Sequence, residues 1–191
     1  MLASASPARL STLRGAGIEP EVIVSGVDES VIVEKDPATL ATRLAELKCA
    51  AAADRLADEK ALVIGCDSVL ELDGQVHGKP VDAAEATERW RLMRGHSGVL
   101  HTGHCVRLGG KVLSMGAATI VHFADVTDAE IDAYVATGEP LHVAGAFTID
   151  GLGGAFVTRI EGDHHNVVGL SLPLLRELVA DLGIAWPDLW R

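Results

Sequence analysis

A chain of 191 residues, 48% of them hydrophobic, can bury a sizeable core within one domain or two closely joined lobes, as an ordinary soluble globular protein does. Its formal net charge of −11, from 16 Lys and Arg against 27 Asp and Glu, argues against a nucleic-acid-coating surface, which would carry a basic stripe; a small polyanion would need a local cation cluster or a metal ion. No apolar run approaches the roughly 20 residues that span a bilayer, and no basic and apolar secretion signal opens the chain, so the expected location is cytoplasmic, with neither nucleic acid nor membrane as partner.

The stretch "LASASPARL" at 2–10 reads as a few strand residues followed by a helix, with Ser6 as N-cap and Pro7 in the first helical position. Arg9 then falls in the first turn, where the positive end of the helix dipole disfavours a cation unless an anion is present. Two readings stay open: a phosphate seat, or a solvated surface arginine. "EVIVSGV" at 21–27 reads as a strand, and 36–56 as a helix capped by Asp36, with Leu40, Leu44, Leu47 and Ala51 on one face. "ALVIGCDSVLEL" at 61–72 is too apolar and β-branched for a surface helix; it predicts a central strand that turns at Asp73-Gly74 into a hairpin partner near Val76.

A helix is expected from Asp82 to near Gly95, with Glu85 completing a capping-box pattern. The runs at 99–108 and 111–124 flank Gly109-Gly110 as a long hairpin. Thr127 and Glu130 open another capped helix that stops at Gly138; a glycine-dense stretch follows, and 171–184 closes the fold as a helix before a loosely docked tail, "AWPDLWR". Cys49, Cys66 and Cys105 lie singly in apolar surroundings and read as buried, reduced thiols.

Several charges sit awkwardly in this pattern. Asp67 follows an apolar run, at or within the strand expected to be buried, so it must be paired, hydrated at a strand end or bound to metal. Lys79, in "GKP", is a loop lysine held in one direction by Pro80. Lys48 borders the apolar face of its helix and either snorkels to solvent or reaches into a cleft. Glu29, in "VDES", reads by itself as a loop acid. The histidines of "HTGH", His101 and His104, would point to opposite faces of a strand, which disfavours a zinc site. The "GLGG" at 151–154 lacks the preceding unit of a dinucleotide fold.

Taken in order, "LASASPARL", "VDES", "LAELKCAAA", "IGCDSV", "GKP", "YVATGEPLHVAGAFTIDGLGG" and "NVVGLSLPLL" resemble the Maf family of nucleoside triphosphate pyrophosphatases, over essentially the whole chain as a single domain, 1–191. The resemblance implies an α/β fold similar to that of the inosine triphosphate pyrophosphatases: a twisted mixed β-sheet flanked by helices, with two lobes around a nucleotide cleft. It implies hydrolysis of a nucleoside triphosphate to the monophosphate and pyrophosphate with Mg2+ or Mn2+, as housecleaning against noncanonical nucleotides and with a link to cell division arrest. The alternatives are a non-catalytic nucleotide-sensing division regulator and an enzyme of the inosine triphosphate pyrophosphatase type. The expected partner is the nucleotide, with a homodimer left open.

By the same resemblance the catalytic acid falls on Asp67 and a second acidic, metal-holding position on Glu29, with Asp67 shared between the two roles. The phosphate-binding cations fall on Arg9, Lys48 and Lys79, and Ser4 and Ser6 match the opening serine motif. Three departures stand out. Ala8 replaces the first of two adjacent arginines, the opening strand is short enough that the natural start is expected upstream, and Asp150 stands where many members carry glutamine. A carboxylate there resembles the branch that handles 7-methylguanosine triphosphate more than the branch preferring thymidine and uridine triphosphates.

Overall fold

The computed structural model describes residues 1–56 and 60–191. Helix α1 (Pro7–Gly15) begins where Ser6 accepts from the Arg9 amide, and α2 (Pro37–Ala53) where Asp36 accepts from the Thr39 amide, each with proline in the first turn. Strand β1 (Val63–Leu72) turns at Asp73 and Gly74, both at positive φ as a two-residue hairpin of this hand requires, into β2 (Gln75–His77). Helix α3 (Ala83–Met93) is followed by the long hairpin β3 (Ser97–Leu108) and β4 (Lys111–Phe123). Then come α4 (Asp128–Ala136), with both halves of the Thr127–Glu130 capping box, β5 (Val157–Glu161), the short α5 (His164–Val168) and α6 (Leu172–Asp181).

The five strands form one sheet in the order β2-β1-β3-β4-β5. β1 with β2 and β4 with β5 pair antiparallel, and the two-residue turn between β3 and β4 requires the same of that pair. The mixed sheet expected from the sequence is therefore antiparallel in its named strands. Among the described residues, parallel pairing appears as single bridges from Leu2 to Val22 and to Ile64. The strand expected over 21–27 shrinks to that bridge at Val22, because its partner is only the few residues ahead of the Ser6 cap and Gly26 at φ +64° ends the extended run.

The described chain divides into two compact units: unit 1 comprises Met1–Asp67, Thr102–Ala117 and Gly169–Arg191, and unit 2 comprises Ser68–His101 and Ala118–Val168. In unit 1 one apolar cluster joins Leu13 of α1 and Leu174, Leu175 and Leu178 of α6 to Ile64, Cys66 and Val106 of the sheet. A second cluster joins Ala45, Cys49 and Ala52 of α2 to Val63 and Cys105. The helix α2 lies almost flush on the strands because glycine faces it at two points. A Cβ on Gly65 would stand 2.5 Å from the Ala45 carbonyl oxygen, and one on Gly103 would stand 2.2 Å from that of Ala41.

Unit 2 is built around Trp90 of α3, which is fully buried, donates its indole N–H to the Ala146 carbonyl at 2.7 Å, and meets Phe123, Tyr134 and Phe156 edge to face. The three cysteines are buried and unbridged, as their surroundings suggested. The C-terminal tail is better anchored than expected: Trp186 and Leu189 pack onto the α6 core and the Arg191 amide donates to Gly17 at 2.9 Å. Among the described residues no helix is long and apolar enough to cross a membrane.

Candidate active site

Asp67 sits in the middle of β1 rather than at a strand end, and is 7% exposed. It shares a strand face with Gly65, the residue that lets α2 settle against the sheet. That approach brings Lys48, one residue ahead of buried Cys49, onto the Asp67 carboxylate in a close ion pair whose side chains are 12% and 10% exposed. Lys48 therefore does not snorkel. Its ammonium also lies 2.8 Å from Oε1 of Glu29, which stands in a short turn, Glu29–Val31, capped by Asp28 and is itself 54% exposed. One cation thus joins two carboxylates from separate segments of unit 1.

A second constellation of unit 1 surrounds the start of α1. Ser4 Oγ accepts from the Ser6 amide at 3.2 Å and from Nη1 of Arg9 at 3.1 Å, while Arg9 Nε donates to the Gly169 carbonyl at 2.7 Å. Arg9 is 9% exposed, so the surface-arginine reading is set aside. It is a guanidinium stationed at a helix N-terminus, held there by Ser4 and Gly169 although the helix dipole disfavours a cation at that end. The two groups approach a common neighbour in Cys66, whose thiol is pushed up to about 12 first by burial, with Arg9 and Lys48 pulling down and Asp67 pushing up.

Lys79 and Asp150 belong to unit 2, on separate loops, and both are exposed. His101 and His104 go different ways. His101 pairs with Glu71 at 2.8 Å, whereas His104 is buried and accepts the Ser171 amide on Nε2 at 2.8 Å, which leaves the proton on Nδ1 facing the Thr102 carbonyl. Among the described residues no group of three or more His, Cys, Asp or Glu side chains is placed to hold a metal ion.

Two residues of unit 2 were missed from sequence. Arg89 is 3% exposed on the same face of α3 as Ala86, Trp90 and Met93, a periodicity that already marks it as core-facing. Glu139 accepts from Tyr134 and Thr148 hydroxyls and from the Leu152 and Gly153 amides, the last two at 3.0 Å, and so holds the loop on both sides of Asp150. Nothing local distinguishes Glu139 from a loop acid, because its donors lie 5 residues upstream and from 9 to 14 residues downstream.

Partial burial pushes the Glu139 carboxyl up, but these hydrogen bonds outweigh it and hold the pKa below the ordinary value. A depressed folded-state pKa contributes stability that is fully present above the unfolded value of about 4.3 and is lost as pH falls through the folded one. Glu139→Gln should therefore lower stability by about 2 kcal/mol, roughly 6 °C in Tm, at pH 7. Thermal unfolding at pH 7 and pH 3 checks this: the gap should close at the lower pH, and an equal gap at both would contradict it.

The family model for Maf-like proteins matches residues 1–182. Nucleoside triphosphate pyrophosphatases are similar along the full chain: that of Streptomyces coelicolor is 59% identical, covering 100% of this chain and 93% of the relative. The protein of that name from Salinispora tropica is 60% identical, covering 100% and 86%, and that from Trichormus variabilis 49% identical, covering 100% and 97%. With a family model over nearly all of its length and relatives of this closeness, the chain belongs to the Maf family.

Proposed function

We propose that the Lys48-bridged carboxylates Asp67 and Glu29, with the Ser4–Ser6–Arg9 cradle, perform the chemistry of this chain. The protein is a nucleoside triphosphate pyrophosphatase, a hydrolase of the Maf family. It cleaves the bond between the α- and β-phosphates, releasing the monophosphate and pyrophosphate. It acts in the cytoplasm to remove modified nucleotides, and residues 1–191 act as one domain in this reading. The observation that carries it is the triad itself: a nearly buried carboxylate in mid-strand, oriented by a nearly buried ammonium.

Asp67 accepts the proton of a water directed at the α-phosphorus, and its ion pair with Lys48 keeps the carboxylate aimed. Arg9 and Lys48 bind phosphate oxygens, with Ser4 and Ser6 supplying hydroxyls and Lys79 a further cation. A triphosphate carries about four negative charges, and each cation at about 4 Å contributes roughly 4 kcal/mol at an effective dielectric of 20, before desolvation. That is enough to overcome the chain's overall negative charge.

The donor set at Lys48 fits a divalent cation, since two carboxylates, both hard oxygen donors, meet at one point, and waters and phosphate oxygens complete the shell that Mg2+ prefers. Glu29 and Asp67 would hold it. When bound, it would neutralise phosphate charge as the pyrophosphate leaves.

Asp150 reads the base. A carboxylate accepts hydrogen bonds and cannot donate, which suits the N1–H and 2-amino edge of guanine and not the O4 of uracil or thymine. A screen of pyrophosphate release over canonical and modified nucleoside triphosphates, with and without Mg2+ or Mn2+, tests the whole reading. Nucleotide binding without release would favour the sensor instead. In the same screen 7-methylguanosine triphosphate should have a higher kcat/KM than uridine or thymidine triphosphate, and Asp150→Gln should narrow the gap. Clear preference of the unmodified protein for the pyrimidines would remove Asp150 from base reading and leave the hydrolase intact.

A further inference from the structure

Lys79 lies on the connection Gly78-Lys79-Pro80-Val81 between β2 and α3, exposed beside a buried Pro80. Backbone groups on both sides of it are taken by one ion pair of α3. The Gly78 carbonyl accepts from Nη1 of Arg89, and also from the Gly145 amide at 3.0 Å. The Val81 amide donates to Oε2 of Glu85 at 2.8 Å, while Oε1 of Glu85 holds Nη2 of Arg89. Guanidinium, carboxylate and the backbone of the four loop residues thus close a hydrogen-bonded ring of which Lys79 is a member.

An ordinary helical pair four residues apart would lie on the surface. Here the arginine is 3% exposed, and its Nε is buried with no hydrogen-bond partner among the described residues. Burial pulls the Arg89 pKa down while Glu85 pushes it up. An apolar side chain at this core-facing position would avoid the desolvation, so the retained guanidinium needs a return outside the core. The backbone that it grips is that of the loop carrying Lys79.

We infer that Arg89, with Glu85, is a positioning residue that preorganises Lys79 for the phosphates of the substrate; this rests on the reading of Lys79 as a phosphate-binding cation. A lysine on an unclamped loop would have to be ordered each time the nucleotide binds, and the clamp supplies that order in advance.

A double-mutant cycle on the full chain tests it, reading kcat and KM for pyrophosphate release together with thermal unfolding. Lys79→Ala should lower kcat/KM roughly 30-fold and Arg89→Met roughly 10-fold, mainly through KM, and the double variant should match Lys79→Ala within about twofold. A double variant that loses the full product of the two factors, or Arg89→Met with wild-type kcat/KM, overturns the positioning role while leaving Lys79 in place. Lys79→Ala with unchanged kcat/KM overturns the reading beneath it as well. If Arg89→Met does not fold, Glu85→Ala, at the more exposed end of the pair, completes the same cycle with the same expectation.

Discussion

Asp67→Asn should leave a folded protein whose turnover is reduced by roughly 10² to 10⁴, the range by which a positioned general base accelerates proton transfer. The amide keeps the size of the carboxylate but cannot take a proton from water. The fold should survive because Lys48 is not orphaned: Glu29 still lies 2.8 Å from its ammonium. The uncompensated buried charge that makes broken ion pairs so costly is therefore avoided. Single-turnover pyrophosphate release, with circular dichroism as the control for folding, separates the outcomes. Release at the wild-type rate would remove Asp67 from the chemistry, whereas loss of activity together with loss of fold would make it a structural residue.

Arg9→Ala should lower kcat/KM by roughly 10² for every nucleotide tested, because a charge-assisted phosphate contact carries no information about the base. It should also destabilise the protein. The Ser4 hydroxyl keeps the Ser6 amide, but the Gly169 carbonyl loses its guanidinium partner, and a buried group left unpaired costs about 1–3 kcal/mol. Arg9→Lys separates the two effects: an ammonium restores the charge but cannot reproduce the forked geometry that bonds Gly169 through Nε and Ser4 through Nη1. Activity should return only in part, again equally for all bases. A variant whose loss differed among bases would place Arg9 against the base instead of the phosphates.

The segments where local chemistry and tertiary packing agree were legible in the sequence. The caps at Ser6, Asp36, Asp82 and Thr127 all hold their helices, since a side-chain oxygen and an amide three residues on need nothing from the rest of the chain. The Asp73-Gly74 hairpin follows from the two residues that most readily adopt positive φ. Asp67 stood out because a charge in an apolar run demands a partner, Arg9 because it falls at the positive end of a helix dipole, and Lys48 because it borders an apolar helix face. What each partner was could not be read, since the answer lies 19 residues away for Lys48 and Asp67 and 160 for Arg9 and Gly169.

Tertiary structure alone decided the rest. The run at 21–27 has strand composition, yet pairing requires a neighbour of matching length, and residues 1–4 provide only a bridge. Parallel or antiparallel pairing is likewise a property of how strands meet, to which the composition of one strand is indifferent. Glu139 became visible only once loop amides had gathered on it, and although periodicity places Arg89 on the core face of α3, its hold on the Gly78 carbonyl appears only in the folded chain. By itself the sequence determined where the chain must turn and cap and that Asp67 needed a partner or water, because those follow from local backbone sterics and desolvation, whereas burial in the fold decided that Arg9 and Lys48 are not solvated bystanders. Which charge meets which was settled by packing, as α2 could bring Lys48 to Asp67 only where Gly65 and Gly103 leave no side chain between helix and sheet.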